Sequence, residues 1–370
     1  MSAGSCHRLV GSVLLLFAAF ALVAGGCSEK SGTPAGTAPP KGASGDAPGG
    51  KAAGDGAPSH GKGRSATHGG DVVRRPFLEG WDEPAAVIVV SGEQRGYFEP
   101  CGCTGGQLGG MSRRANLFQQ VRDRGWPVTG VDIGGSLLRQ RSQDVLKFKA
   151  IVDSMKIMGY RALAIGPEEL SLGIDNVMQK HEIGGENPEE AVSFLAANVL
   201  FYDDPTLGTP RPWRIIQAGD VKIGVTAVLG TDYRGTALLA QNNADLSIKD
   251  PDDVLPGVIA ELKNEKPDLL VLLSHTGPEE SHALAEAYPD FDIVVTAGGP
   301  EDPDGPRERV GDTLVLNAGR KGKTIGLVGF YPKKVGKDSL RYEVLEVDGD
   351  RFTDTMTIVE QMRAYQRRLL

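Results

Sequence analysis

Cysteine is scarce in this 370-residue chain, with four residues at positions 6, 27, 101 and 103. So few exclude a disulfide-stapled scaffold, in which several bridges replace a hydrophobic core. No Cys-x-x-Cys-His haem attachment is present, so electrons in any redox reaction must come from a partner. The glycine-rich runs Gly92 to Gly96 and Gly102 to Gly110 fit neither Gly-x-Gly-x-x-Gly nor a phosphate loop ending in Gly-Lys-Ser/Thr, and no Gly-x-Ser-x-Gly nucleophile elbow occurs. Basic runs are missing too. With a net charge of −8 the chain has no footprint for nucleic acid, which is excluded as a partner. Residues 28 to about 70 lack any apolar side chain larger than alanine apart from proline. Such a segment cannot bury enough surface to offset its ordering entropy.

What is present begins with a leader. Arg8 precedes an apolar run from Leu9 to Val23, followed by Ala24-Gly25-Gly26-Cys27. A charged start, a short hydrophobic stretch and small residues before the break form a secretory signal. A cysteine directly after them resembles the lipobox of bacterial lipoproteins, which implies acylation of Cys27 and export to the periplasm or another extracytoplasmic space. The expected organisation is a signal peptide over 1–26, a lipidated tether over 27–83, a folded domain over 84–350 and a C-terminal helix over 351–370. The tether spans roughly 35 Å on Gly-rich linker scaling. Its His60 and His68 read as solvated linker residues.

The domain alternates β-branched runs with helical patterns. Strands are expected at 86–90, 128–133, 162–165, 221–229, 269–274, 293–296, 313–317 and 325–331, with a last one at 339–347. Helices are expected over 112–124, 144–158, 253–265, 279–288 and 353–370. This alternation defines an α/β fold.

The segment Glu99-Pro100-Cys101-Gly102-Cys103-Thr104-Gly105-Gly106 follows the first strand, where α/β proteins keep their chemistry. Removal of Cys6 and acylation of Cys27 would leave Cys101 and Cys103 as a pair in a disulfide-permissive compartment. Two sulfurs one residue apart can form a static clip, stay as idle thiols, exchange disulfides, or share a soft metal ion. Arg95, Arg113 and Arg114 flank the segment, and nearby cations lower a thiol pKa.

Over about 260 residues the chain resembles the metallophosphatase domain of the 5′-nucleotidase family. The resemblance is carried by Gly109-Gly110-x-x-Arg113, Asp132-Ile133-Gly134-Gly135, Met158-Gly159-Tyr160-Arg161-Ala162 before Gly166, and Ala197-Asn198-Val199. It continues through Val221-Lys222-Ile223-Gly224-Val225, Leu273-Ser274-His275-Thr276-Gly277 and Leu316-Asn317-Ala318-Gly319. It implies a two-sheet sandwich flanked by helices (α-β-β-α), with a dinuclear metal site where strand ends meet loops. The departures fall on the ligands. Where the family has Asp-x-His this chain has Ser91-Gly92-Glu93, and Gly135 stands for the bridging Asp. The Gly-Asn-His-Glu motif becomes Gly166-Pro167-Glu168-Glu169, and the Gly-His-x-His pair becomes Ala297-Gly298-Gly299-Pro300. Only His275 keeps a ligand position. Ordinary phosphatase activity is therefore not expected. The nucleobase-stacking second domain of complete 5′-nucleotidases is not expected in the 20 residues after 350.

Within this superfamily, Pro-Cys-Gly-Cys before Gly-Gly-x-x-Arg resembles a branch of UshA-like (seleno)proteins, which implies redox chemistry in that loop. One of Cys101 and Cys103 is then the attacking thiol and the other the resolving thiol, in either order, with Arg113 and His275 tuning the thiolate and moving a proton. The partner is an unidentified thiol or electron-transfer protein. The alternatives are a residual phosphoesterase and a non-catalytic binding module. A single Zn or other divalent ion, the cofactor considered, would use His275, Glu168 and Asp132, or the two sulfurs with His275 and Glu168 or Glu169.

Overall fold

The computed structural model describes residues 76–101, 107–138, 143–180, 188–241, 245–303 and 308–369. Its first strands alternate two hydrophobic faces. Within β1 (Ala86–Ser91), Val87 and Val89 face one core while Ala86, Ile88 and Val90 face another, as the two-residue period of a strand buried on both sides requires. Parallel pairing continues through β2 (Val128–Asp132), β3 (Tyr160–Ala164) and β4 (Ser193–Leu195). A small pair, β5 (Val199–Phe201) and β8 (Leu246–Ile248), lies apart from the main sheets.

The second sheet takes β6 (Trp213–Ala218), β7 (Val221–Leu229), β9 (Leu269–His275), β10 (Ile293–Thr296), β11 (Glu308–Val310) and β12 (Thr313–Leu316), in the order 11-12-10-9-7-6. The chain then returns to the first sheet as β13 (Thr324–Phe330) and β14 (Leu340–Glu346), giving 14-13-1-2-3-4. Strands β7, β9, β10 and β12 run parallel, and β6 and β11 are antiparallel edges.

Ile88, Val90, Ile133 and Ala164 of the first sheet share a core with Val225, Leu273, Val295 and Leu316 of the second. The helices are α1 (Met111–Asp123), α2 (Asp144–Met158), α3 (Pro167–Leu170), α4 (Ile174–Lys180), α5 (Thr231–Gln241), α6 (Pro251–Asn264), α7 (Pro278–Ala287) and α8 (Met356–Arg367). Helices α1, α2 and α8 cover the outer face of the first sheet, and α6 and α7 that of the second. This is the expected α-β-β-α sandwich. The parallel strands of both sheets direct their carboxyl ends toward one loop region.

Two boundaries move. Phe77, Leu78 and Trp81, assigned from sequence to the tether, are buried in the first sheet's outer core, Phe77 against Phe352 and Trp81 bonded to Glu343 of β14, and Arg124 donates to the Phe77 carbonyl at 2.7 Å. At the other end, α8 packs on α1 and α2 through the fully buried Ile358. The fold therefore extends past 84–350 on both sides. A chain starting at residue 84 should lose about 5 kcal/mol of stability, since each buried apolar side chain contributes roughly 1.5–3 kcal/mol. Urea denaturation would measure it, and a loss below about 1 kcal/mol would contradict this packing. The signal peptide, Cys27, His60 and His68 lie outside the described residues, as does Cys103. Among the described residues no helix is long and apolar enough to cross a membrane.

Candidate active site at the strand ends

His275 ends β9 and is almost fully buried. Its Nδ1 lies 2.6 Å from the Ile133 carbonyl, which can only accept, so Nδ1 carries the proton and Nε2 presents a lone pair. Nε2 faces Glu168 Oε2 at 3.9 Å. The ring fits because two glycines leave it space. A Cβ on Gly166 would lie 2.4 Å from His275 Cε1, and one on Gly134, held at φ 88°, would lie 3.1 Å from Nδ1. The Tyr233 ring meets the imidazole edge-on at 5.2 Å.

Glu168 stands at the start of α3 with its side chain about a third exposed, yet Oε2 is enclosed and has no hydrogen-bond partner among the described residues. Burial, and next the Glu169 charge, push its carboxyl above the usual range, while His275 and Arg95 pull it down. At 3.9 Å the carboxyl and the imidazole face each other without a direct hydrogen bond, an arrangement suited to acid–base work on a group bound between them. Glu169 does structural work: it accepts from the N–H groups of Ser136 at 2.7 Å and Gly166 at 3.0 Å, closing the turn before α3.

The loop after β1 supplies a group the sequence reading did not weight. Glu93 (φ 42°) and Arg95 (φ 50°) both adopt left-handed backbone, a cost that surrounding structure must compensate. Here it does. Their N–H groups donate to Gly134 O and Gly135 O at 2.7 and 2.9 Å, and Lys321 N–H donates to Glu93 O at 2.9 Å. The buried Glu93 carboxylate accepts from Arg95 Nη2 at 2.8 Å, Arg320 Nε at 3.2 Å and the Gly298 N–H at 3.0 Å. Burial lowers the Arg95 pKa, but its bond to Glu93 and the charges of Glu93, Glu168 and Tyr233 together outweigh that and raise it. Burial, then the charges of Glu93 and Glu168, push the Tyr233 phenol up. Polar residues just after a buried strand were the available signal for Glu93 and Arg95, and Arg320 just after Asn317-Ala318-Gly319 offered the same one.

Several expected site residues lie elsewhere. Asp132 points to the opposite face of its strand from Val131 and Ile133, away from the inter-sheet core. There it accepts from Ser91 Oγ at 2.5 Å and the Gly134 N–H at 2.9 Å, and burial pushes its carboxyl up. The neighbouring Arg114 is fully buried, bonding Gln94 Oε1 and, at 3.3 Å, Ser91 Oγ. Arg113, the expected functional arginine, instead donates to the Gln107 carbonyl. The three arginines expected to tune the thiols thus bond Glu93, Gln107, Gln94 and Ser91. Cys101 carries a free thiol, half-buried at the base of its loop, where it exchanges backbone hydrogen bonds with Leu108 at 2.7 and 3.2 Å. Residues 96–100 border a cavity of about 310 Å³ with Met362, Tyr365 and Gln366 of α8.

The metal set His275, Glu168 and Asp132 is not assembled. Strand alternation turns Asp132 away, and among the described residues no group of three or more His, Cys, Asp or Glu side chains could hold a metal ion. The dinuclear centre does not fit this residue set, because Glu93, near a ligand position, gives its oxygens to two guanidinium groups.

The comparisons agree with the architecture. The 5′-nucleotidase of Vibrio cholerae is 28% identical over 211 residues, covering 51% of this chain and 36% of that protein. Bovine 5′-nucleotidase is 23% identical over 188 residues, covering 51% of this chain and 32% of that protein. The 5′-nucleotidase precursor of Thermus thermophilus superposes with a TM-score of 0.63 at 22% identity, covering 77% of this chain and 59% of that one. The domain has the metallophosphatase fold and is similar in sequence to 5′-nucleotidases over about half of its length. The Thermus thermophilus sulfate thiohydrolase SoxB superposes with a TM-score of 0.62 at 19% identity, covering 78% of this chain and 62% of that one. No family profile matches the chain. The match spans about a third of each curated relative.

Proposed function

We propose that this is an exported, lipid-anchored protein whose 5′-nucleotidase-like domain exchanges disulfides at Cys101 and Cys103 in place of dinuclear phosphoester hydrolysis. The observation that carries the loss of hydrolysis is the Glu93 carboxylate, taken up by Arg95 and Arg320 where metal ligands would be needed. The anchor rests on the Ala24-Gly25-Gly26-Cys27 sequence, and the thiol chemistry on the Cys-x-Cys spacing and the free thiol of Cys101.

In this reaction one thiolate attacks a partner disulfide, forming a mixed disulfide and releasing one partner thiol. The second thiolate then closes the Cys101–Cys103 bond and releases the other. Two electrons pass to the partner disulfide, which is reduced to two thiols. A bond between cysteines one residue apart closes a small ring, and a strained disulfide is readily reduced, which favours the reverse reaction.

The test is equilibration of the full chain across thiol redox buffers, followed by alkylation and mass spectrometry. A two-electron transition near or above roughly −300 mV is expected, because structural disulfides lie lower. Cys101→Ser and Cys103→Ser should each abolish turnover with a disulfide substrate. Thiols that never cycle would end this reading. A second reading, residual acid–base chemistry on a phosphate ester, is favoured by the Glu168–His275 pair. In that case Glu168→Gln would remove phosphatase activity while both cysteine variants kept it.

A further inference from the structure

We infer that the strand-end cluster of Arg95, Arg320, Tyr233, Glu168 and His275 is a binding site for a tetrahedral oxyanion, phosphate or sulfate, held by guanidinium groups in place of the superfamily's metal ions. This inference is independent of the thiol chemistry.

Charge is the first support. Glu93 sets one negative charge against two guanidinium cations, so Arg95 and Arg320 keep about one net positive charge between them in a partly enclosed, low-dielectric setting. Donor supply is the second. A guanidinium carries more N–H groups than a share in one carboxylate can satisfy. Arg95 Nε is buried and has no partner among the described residues, and Glu168 Oε2 is in the same state. Buried polar atoms are almost always hydrogen-bonded, so an orphan donor and an orphan carboxyl oxygen in one cluster mark a place for a ligand. An oxyanion accepts from Arg95, and one that bears a proton donates it to Glu168.

Preorganisation is the third support. Glu93 holds Arg95 and Arg320 side by side before any ligand arrives. The left-handed backbone at Glu93 and Arg95 is fixed by the 134–135 and 321 backbone bonds. Strain retained at a strand end, with compensating bonds on both sides, is characteristic of sites that must be rigid. Of the cluster, Arg95 alone also lines a neighbouring cavity of about 240 Å³, whose wall carries Lys147, Tyr97 and Leu137. Asp144, on the same wall, is already engaged. Phosphate and sulfate share the geometry that planar guanidinium groups recognise.

The test is calorimetric titration of the full chain with inorganic phosphate, and separately with sulfate, in excess EDTA. Saturable binding of either ion is expected without added metal. Binding of both assigns recognition to charge and shape, and binding of phosphate alone assigns it to a proton-bearing oxyanion. Arg95→Gln should weaken binding at least tenfold and Arg95→Lys less, because lysine keeps the charge but not the fork. Melting curves of each variant establish that it is folded. No binding of either ion to the unaltered chain at 10-fold above about 1 mM would overturn the inference, whatever the variants do. So would binding that appears only with a divalent metal, or a folded Arg95→Gln variant that binds as tightly as the unaltered chain.

Discussion

Glu93→Gln should destabilise the domain by about 3 kcal/mol, the cost of leaving a largely buried charge without its partner. The carboxylate is buried, while Arg95 and Arg320 are each less than a third exposed. The glutamine amide keeps one accepting oxygen for the Gly298 N–H but turns its NH₂ toward a guanidinium. Both arginines then stay in the cluster with no anion between them. Glu93→Gly separates the two contributions at this position. It relieves the left-handed backbone, a gain of roughly 1 kcal/mol, but loses the carboxylate, so it should fall between the unaltered protein and Glu93→Gln. Added phosphate should restore part of the Glu93→Gln loss by replacing the missing charge. Urea denaturation with and without phosphate measures all three. A change below about 1 kcal/mol in Glu93→Gln would show that the arginines find water instead.

Arg114→Met should cost about 3–5 kcal/mol at neutral pH, the typical penalty for breaking a fully buried charge network. Arg114 has no exposed surface and is the cation beside Asp132. The pH dependence identifies the cause. Burial already raises the folded-state pKa of Asp132 above its unfolded value, and Arg114 opposes that rise. Without Arg114 the folded pKa climbs further. Below the folded pKa of the unaltered protein, Asp132 is protonated in both folded forms and the electrostatic deficit is absent. As pH rises through that value the deficit grows by up to about 1.4 kcal/mol per unit, until the higher pKa of the variant is reached. Arg114→Met should therefore be closer to the unaltered protein in acid than at pH 8. Adding Asp132→Asn should remove the pH dependence and leave only the packing loss. A deficit that is flat with pH would mean that Arg114 acts through its bonds to Gln94 and Ser91 rather than its charge.

Sequence favoured Arg113 because it completes the Gly109-Gly110-x-x-Arg113 motif, and helix phase explains why Arg114 is the one that is buried. The helix was expected from Ser112 and begins at Met111, and adjacent residues on a helix differ by about 100° in direction. One of two neighbouring arginines therefore enters the core while the other reaches the Gln107 carbonyl. Asp132 was misplaced for a related reason. Its motif matched, but strand alternation, with Val131 and Ile133 facing the inter-sheet core, sends its side chain to the other face.

The chain's own pattern determined most strands and helices, while the layer order came with the family resemblance. β7 and β10 match their expected ranges, as does α2, because continuous β-branched runs and a helical apolar stripe are local signals. Weaker local signals hid the antiparallel edge β6, where Trp213, Arg214 and Gln217 interrupt the apolar run, and the glycine-bearing α5. His275 was legible because it closes a buried strand at a matching motif. Its pairing with Glu168, and the Glu93–Arg95–Arg320 link across 227 positions, were decided only by tertiary structure. The two sheets bring their carboxyl ends together there, and contacts between side chains so far apart in the chain leave no periodicity to read.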